Sequence, residues 1–354
     1  MDLTNHWRKE SGARLEGTRD LDCFKLQAPC VVQIPNGGFR IYYTAVGPAK
    51  PFPACQGYIL SAISEDGLVF LPEPGIRLVP QPKIPHLSLR VIAPTLTQLK
   101  DGHWRMYFES RGPAHQPTVI CSAVSSDMLN WDLEEGIRLQ NPGGIGGPRY
   151  LSLPDGRGRL YCFTSEFGPG GVESGQRIST SVISAVTSDG LNFEFEPGFR
   201  LRDRQTEFDS AGISAAEVIP PRDCCDYWTM FYSAWQDVPP GTEVPLHPSQ
   251  DAHAVATGKS DNFAAASIAS DMSGYRSRIF AAASTDGLSW QRDCCVIEGL
   301  GYGAEGLDAV HAEDMCLIEF ARGSFRMYYA ACDKDGIWRI ASAVTNMEGR
   351  VRND

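Results

Sequence analysis

Hydrophobic positions in this chain fall in short runs rich in aromatic and β-branched residues, closed off by Asp-Gly and similar pairs. That is the pattern of strands joined by tight turns. The runs recur in a fixed order. Ser64-Glu-Asp66-Gly-Leu-Val-Phe70, Ser125-Ser-Asp127-Met-Leu-Asn-Trp131, Thr187-Ser-Asp189-Gly-Leu-Asn-Phe193 and Ser284-Thr-Asp286-Gly-Leu-Ser-Trp290 are four copies of one turn, and Val344-Thr-Asn346-Met is a fainter fifth. The positions Asp66, Asp127, Asp189, Asp286 and Asn346 step by 61, 62, 97 and 60 residues. An aromatic run precedes each turn: Phe39-Arg-Ile-Tyr-Tyr43, Trp104-Arg-Met-Tyr-Phe108, Gly158-Arg-Leu-Tyr161, Trp228-Thr-Met-Phe-Tyr232 and Phe325-Arg-Met-Tyr-Tyr329. After the first three turns comes a Gly-x-Arg-Leu segment: Gly75–Leu78, Gly136–Leu139 and Gly198–Leu201.

Each unit therefore reads as four strands: an apolar inner strand, an aromatic second, a small-residue third and an outer Gly-x-Arg-Leu strand. Four-stranded units repeated radially make a β-propeller, and a period near 61 residues does not suit a sandwich. The expected fold class is all-β, a single five-bladed β-propeller over residues 1–354. Its blades fall near 28–78, 93–139, 147–201, 214–298 and 311–346. The last unit is too short to hold its own outer strand, whereas Gly12-Ala-Arg-Leu15 has the missing pattern. The N-terminal strand is thus expected to complete the fifth blade and remove an open edge. The fourth unit carries an excess of about 36 residues between its second and third strands, residues 237–277. A loop of that length in a compact domain suggests a lid over the ring.

Composition narrows the partners. The 354 residues carry a formal net charge of −11, which disfavours nucleic acid or an anionic membrane as partner. No run of 18 apolar residues and no apolar leader is visible, so the reading is no membrane span, and a cytoplasmic location fits eleven cysteines of uneven number. The adjacent pairs Cys224-Cys225 and Cys294-Cys295 lack zinc-hook spacing, and no metal or cofactor is expected. Gly143-Gly-Ile-Gly-Gly147 lacks the strand-to-helix context of a dinucleotide site.

The turns, together with inner strands of Ala-Pro-x form, resemble the five-bladed propeller glycosidases of glycoside hydrolase families 43 and 32. The resemblance covers essentially the whole chain, through scaffold motifs. It implies three carboxylates on the first three inner strands, one protonated and one ionised group flanking the bond. The inner strands here align as Ala28-Pro29-Cys30, Ala93-Pro94-Thr95, Gly147-Pro148-Arg149, Ala215-Ala216-Glu217 and Asp314-Met315-Cys316. Ala28, Ala93 or Thr95, and Gly146 or Gly147 stand where the family would place Asp, Asp and Glu.

Simple alternation along a strand puts Ala28, Ala93, Gly147, Ala215 and Asp314 at one level of the funnel, and Cys30, Thr95, Arg149, Glu217 and Cys316 at the next. The expected catalytic residues are Arg149, Glu217, His311 and Asp314, with Arg149 polarising a carbonyl and His311 shuttling a proton. Cys30, Thr95, Glu109, Arg111, Tyr150, Glu166, Trp235 and Glu313 are the expected substrate contacts. The recurring Asp22, Asp209 and Asp308 read as structural caps, because an active site breaks a propeller's symmetry. The function expected is a small-molecule enzyme running a non-hydrolytic cyclisation, cycloaddition, elimination or isomerisation. The alternatives are a glycoside hydrolase with relocated carboxylates and a non-catalytic carbohydrate-binding propeller.

Overall fold

The structure, a computed structural model, describes residues 7–35, 37–113, 116–166, 179–203, 208–210, 212–222, 226–237, 241–242 and 275–345. The expected lid at 237–277 lies almost wholly outside the described residues. Those residues are nearly all strand and loop, with one short 3-10 helix at Pro85–Leu87. β1 (Trp7–Lys9) and β2 (Leu15–Glu16) precede five antiparallel meanders. The first is β3 (Lys25–Gln33), β4 (Phe39–Val46), β5 (Tyr58–Ser64) and β6 (Leu71–Pro72). The second is β7 (Arg90–Gln98), β8 (Trp104–Arg111), β9 (Val119–Ser125) and β10 (Asp132–Leu133). The third is β11 (Ile145–Ser152), β12 (Gly158–Glu166) and β13 (Ser179–Thr187), edged by β14 (Glu194–Phe195) and β15 (Leu201–Arg202). The fourth is β16 (Gly212–Ile219), β17 (Trp228–Asp237), β18 (Tyr275–Ser284) and β19 (Gln291–Ile297). The fifth is β20 (His311–Ala321), β21 (Ser324–Cys332) and β22 (Trp338–Thr345). Ser277 bridges to His311, joining the last two meanders into one sheet. Inner strands β3, β7, β11, β16 and β20 each pack on the next, and β20 packs on β3.

The repeated turns are held by their own side chains. Asp66 accepts from the backbone N–H groups of Leu68 and Val69, and Ser64 accepts from Gly67. The same set recurs at Ser125/Asp127, Thr187/Asp189 and Ser284/Asp286. A tyrosine of four of the five aromatic strands then ties one meander to the next. Tyr328 donates to the Gly67 carbonyl at 2.9 Å, Tyr42 to Met128 at 2.5 Å, Tyr107 to Gly190 at 2.8 Å and Tyr161 to Gly287 at 3.3 Å. Phe231 occupies that place in the fourth meander and packs edge-on against Trp7. The core lies between the meanders, where these rings and the small residues of the third strands are buried.

The N-terminal segment pairs with β22, Trp7 opposite Thr345 and Leu15 opposite Ile340. It also supplies a charge. Arg40, Arg105 and Arg159 on the second strands pair with Glu73, Glu134 and Glu196, each just after an outer strand, and Ser61, Ser122 and Ser184 donate to the same carboxylates. In the fifth meander Arg326 and Ser342 make this motif with Glu10, at 2.8 and 2.7 Å. Asp22, Asp209 and Asp308 are buried, with Tyr43 donating to Asp22 and Tyr329 to Asp308 at 2.9 and 3.0 Å, and Arg292 paired with Asp209.

Each inner strand carries a left-handed residue at the same place: Ala28 (φ 47°), Ala93 (φ 51°), Gly147 (φ 53°), Ala215 (φ 41°) and Asp314 (φ 53°). Each sits in a register shift, so one extra residue is inserted opposite the second strand. This corrects the simple alternation. Gln27 pairs with Thr44 and Cys30 with Tyr42, so Gln27 and Cys30 share a face and Ala28 does not belong to it. Left-handed alanine is strained by about 1–2 kcal/mol relative to its right-handed form, and β-branched residues fit worse. Replacing Ala93 by Gly is expected to leave stability unchanged or raise it by up to about 1 kcal/mol, whereas Ala93→Val lowers it by about 2 kcal/mol. Denaturant midpoints check this; equal stability of the two variants contradicts it.

Candidate active site

The bulges turn the inner strands into the wall of a cavity of about 310 Å³. Ala28, Ala93, Gly147 and Asp314 line it, with Ser214 beside the fourth bulge. Cross-meander caps hold the bulges open. The Thr44 hydroxyl accepts from the Ala93 N–H at 2.9 Å, a Glu109 oxygen from Gly147 at 3.1 Å, and the Ser233 hydroxyl from Asp314 at 3.0 Å. Thr44, Glu109, Phe163 and Ser233 occupy the same place in their second strands. Asp314 itself accepts a backbone hydrogen bond from Ala28. Gly147 needs its missing side chain twice: its φ is left-handed, and a Cβ would crowd the Phe163 ring.

Of the expected site residues, Glu109, Trp235, Glu313 and Asp314 line this cavity. Arg149 and Glu217 do not. Arg149 is buried beneath it, its guanidinium donating to the carbonyls of Pro94, Pro148, Met315 and Pro29 at 3.2–3.4 Å and paired with Glu217 at 3.3 Å. With its donors so engaged, Arg149 braces the inner strands and offers nothing to a carbonyl in the cavity. An arginine left there without acceptors would cost about 3–5 kcal/mol, which is why the carbonyls converge on it. Burial, with Cys316 nearby, pushes the Glu217 carboxyl well above the usual range, against the pull of Arg149.

Cys30 and Cys316 lie at this lower level, the Cys316 sulfur accepting from the Val31 N–H at 3.3 Å. Thr95 accepts from the Tyr150 N–H, and the Tyr150 ring stacks on Tyr107 outside the cavity. Arg111 ends β8 opposite Arg90 and is not a lining residue, and the Glu166 side chain lies outside the described parts of β12. His311 is buried against Trp338, ring centroids 5.3 Å apart, with Nδ1 2.9 Å from the Ser277 hydroxyl. Burial and the nearby Lys25 push it down to about 3, so it stays neutral through the physiological range and is no proton shuttle near pH 7.

Lys25, Arg90, Gln27 and Phe163 also line the cavity and were not anticipated. Lys25 and Arg90 stand three residues before the left-handed Ala28 and Ala93, so counting back from the bulge would have found both. Arg90 pairs with Glu109 at 2.5 Å, and Gln27 donates to Glu313 Oε1 at 2.6 Å. Lys25 Nζ sits 5.0 Å over the Trp338 ring. The cavity wall thus combines an ion-paired carboxylate, Glu109, and two adjacent carboxyls, Glu313 and Asp314, with the Phe163 and Trp235 side chains. Among the described residues no group of His, Cys, Asp and Glu is arranged to hold a metal, and no helix is long and apolar enough to cross a membrane.

Desolvation, with Asp314 adjacent, pushes the Glu313 carboxyl up to about 8, against the opposing charge of Lys25. Desolvation brings Lys25 down to about 8, against Glu313 and Asp314. A raised carboxyl favours the folded state most below its ordinary value of 4.5 and loses that advantage as pH rises through about 8. Lys25 acts in the opposite sense, its contribution present above 10.5 and lost as pH falls through about 8. His311, pushed down to about 3, opposes Glu313 below its ordinary value of 6.5, so the raised carboxyl of Glu313 governs the trend between 6.5 and 8. The melting temperature is expected to fall across that window, and Glu313→Gln to flatten the fall; an unchanged slope in the variant contradicts the placement.

No family model matches the sequence, and no curated protein is significantly similar to it. Solved structures are similar. A glycoside hydrolase superposes with a TM-score of 0.65 at 14% identity, covering 98% of this chain and 94% of its own. A thermostable family-43 glycoside hydrolase gives 0.60 at 12% identity, covering 95% and 91%. The β-1,2-mannobiose phosphorylase from Listeria innocua gives 0.66 at 14% identity, covering 97% of each. The chain therefore has the all-β propeller fold of these glycosidase-like enzymes, and at such identities the likeness speaks for the fold alone.

Proposed function

We propose that the five meanders are the blades of one closed five-bladed propeller, completed by the N-terminal strand, and that its cavity cleaves a glycosidic bond. The pairing of β1 and β2 with β22, the place of Glu10 in the repeated Arg–Glu–Ser motif and the packing of β20 on β3 support the closed ring. One observation carries the chemistry. Four of the five left-handed bulge positions hold Ala or Gly, and the fifth holds Asp314, a carboxylate that breaks the ring's symmetry and lines the cavity beside Glu313. Glycoside cleavage asks for a proton donor and an ionised carboxylate on opposite sides of the bond. Glu313 and Asp314, both raised by burial, are the donors, and Glu109, held by Arg90, is the ionised group.

The carboxylates are in this reading relocated from the first three inner strands to β8 and β20, so Ala28, Ala93 and Gly147 supply space. Phe163 and Trp235 offer aromatic surface to a sugar ring. The non-hydrolytic cyclisation expected from the sequence depended on Arg149 facing the substrate, and its place beneath the cavity removes that support. Relatives in fold include hydrolases and a phosphorylase, so water and inorganic phosphate are both acceptors to be tried. A panel of 4-nitrophenyl glycosides, assayed with and without phosphate, is expected to show release by the native protein. Asp314→Asn and Glu313→Gln lower kcat by about 10²–10⁴. Full activity in both variants overturns the assignment.

A further inference from the structure

Among the described lysines, Lys9, Lys50, Lys83, Lys100 and Lys334 retain solvent contact, and Lys25 alone is buried. An ammonium is costly to bury, and nothing in the glycosidic reading requires one here. The chain nevertheless places this amine on the cavity wall, one turn of the pleat above the Ala28 bulge, with its Nζ over the Trp338 ring. Glu313 is beside it, with Oε1 held by Gln27. A low-polarity wall keeps an amine nucleophilic near neutral pH, and an adjacent acid supplies the proton that carbonyl condensation needs.

We propose that Lys25 is a carbonyl-reactive amine that condenses with the aldehyde of an open-chain sugar held in the cavity. The neutral Nζ adds to the carbonyl carbon, and a proton passes from nitrogen to the new alkoxide to give the carbinolamine. Glu313 then protonates that hydroxyl, the C–O bond breaks, and water leaves. The products are a protonated imine on Lys25 and the Glu313 carboxylate, so charge and atoms balance without an oxidant or reductant. The groups facing Lys25 are Glu313, Asp314 and His311 of β20, Cys332 of β21 and Arg90 of β7. Burial brings the amine down to about 8, within reach of neutral solution. This activity goes beyond glycoside cleavage and uses a residue that cleavage does not.

The test is reductive trapping of the whole native chain with glycolaldehyde and cyanoborohydride, followed by digestion and mass mapping. The expected result is one saturable adduct on Lys25, formed at least tenfold faster than on Lys50 or Lys100. Its rate passes through a maximum near pH 8, falling below as Lys25 takes up a proton and above as Glu313 loses its own. Glu313→Gln slows trapping at Lys25 about tenfold while leaving the exposed lysines unchanged. Modification of the exposed lysines with none at Lys25 overturns the proposal, as does an unchanged rate in Glu313→Gln. Mapping on the native protein does not depend on whether a Lys25 variant folds. A failed trapping leaves aryl glycoside release untouched, so the two readings fail separately.

Discussion

The structure depends on one convergence: the Arg149 guanidinium donating to the backbone carbonyls of Pro29, Pro94, Pro148 and Met315. All four carbonyls belong to residues that directly follow a left-handed position, namely Ala28, Ala93, Gly147 and Asp314. The bulge and the clamp are therefore two sides of one arrangement. A left-handed residue turns the backbone so that the next carbonyl faces the axis, and a delocalised cation with five fixed donors suits several such acceptors at once. A lysine would offer fewer donors and lose more on burial. The same turn aims the preceding residues, Gln27, Ile92, Ser214 and Glu313, at the cavity above.

On that frame the chemistry comes from departures from symmetry. Hydroxyls cap two of the bulge amides, and Glu109 caps a third while also holding Arg90. At the equivalent place Phe163 caps nothing and forms a wall. At the bulges themselves, Asp314 is the single charged residue. Aspartate tolerates the left-handed region better than most residues, so the fold accepts it there at modest strain. Burial raises both carboxyls, Glu109 adding to the rise of Asp314 and Asp314 to that of Glu313, and it brings Glu313 to about 8, the condition for a carboxyl that donates protons at neutral pH.

Much of the scaffold was legible in the sequence because its determinants are local. The Ser-x-Asp-Gly turns bind their own backbone, so each copy carries its signature within seven residues, and Gly12–Leu15 could be matched to Gly75–Leu78 by eye. The site was read less well. Nothing in an Ala-Pro dipeptide announces a left-handed alanine, and without the bulge the faces of Gln27, Cys30, Ile92 and Thr95 are assigned one step out. That error lifted Arg149 and Glu217 into the cavity and hid Lys25 and Arg90. His311 was misjudged for a different reason: its neighbours Lys25, Trp338 and Ser277 come from three other strands. Asp314, Glu313, Glu109 and Trp235 were found because they break the repeat, a signal that survives an error in facing.

On the proposed function, the cavity at the bulges receives the scissile bond beside Asp314 and Glu313. A crystal structure of the Asp314→Asn chain with an uncleaved oligosaccharide tests it most directly. The expected result is a sugar ring against Phe163 and Trp235, with its glycosidic oxygen within hydrogen-bond reach of residue 314 or of Glu313. A sugar seated on the outer strands, with the cavity holding only solvent, would contradict it.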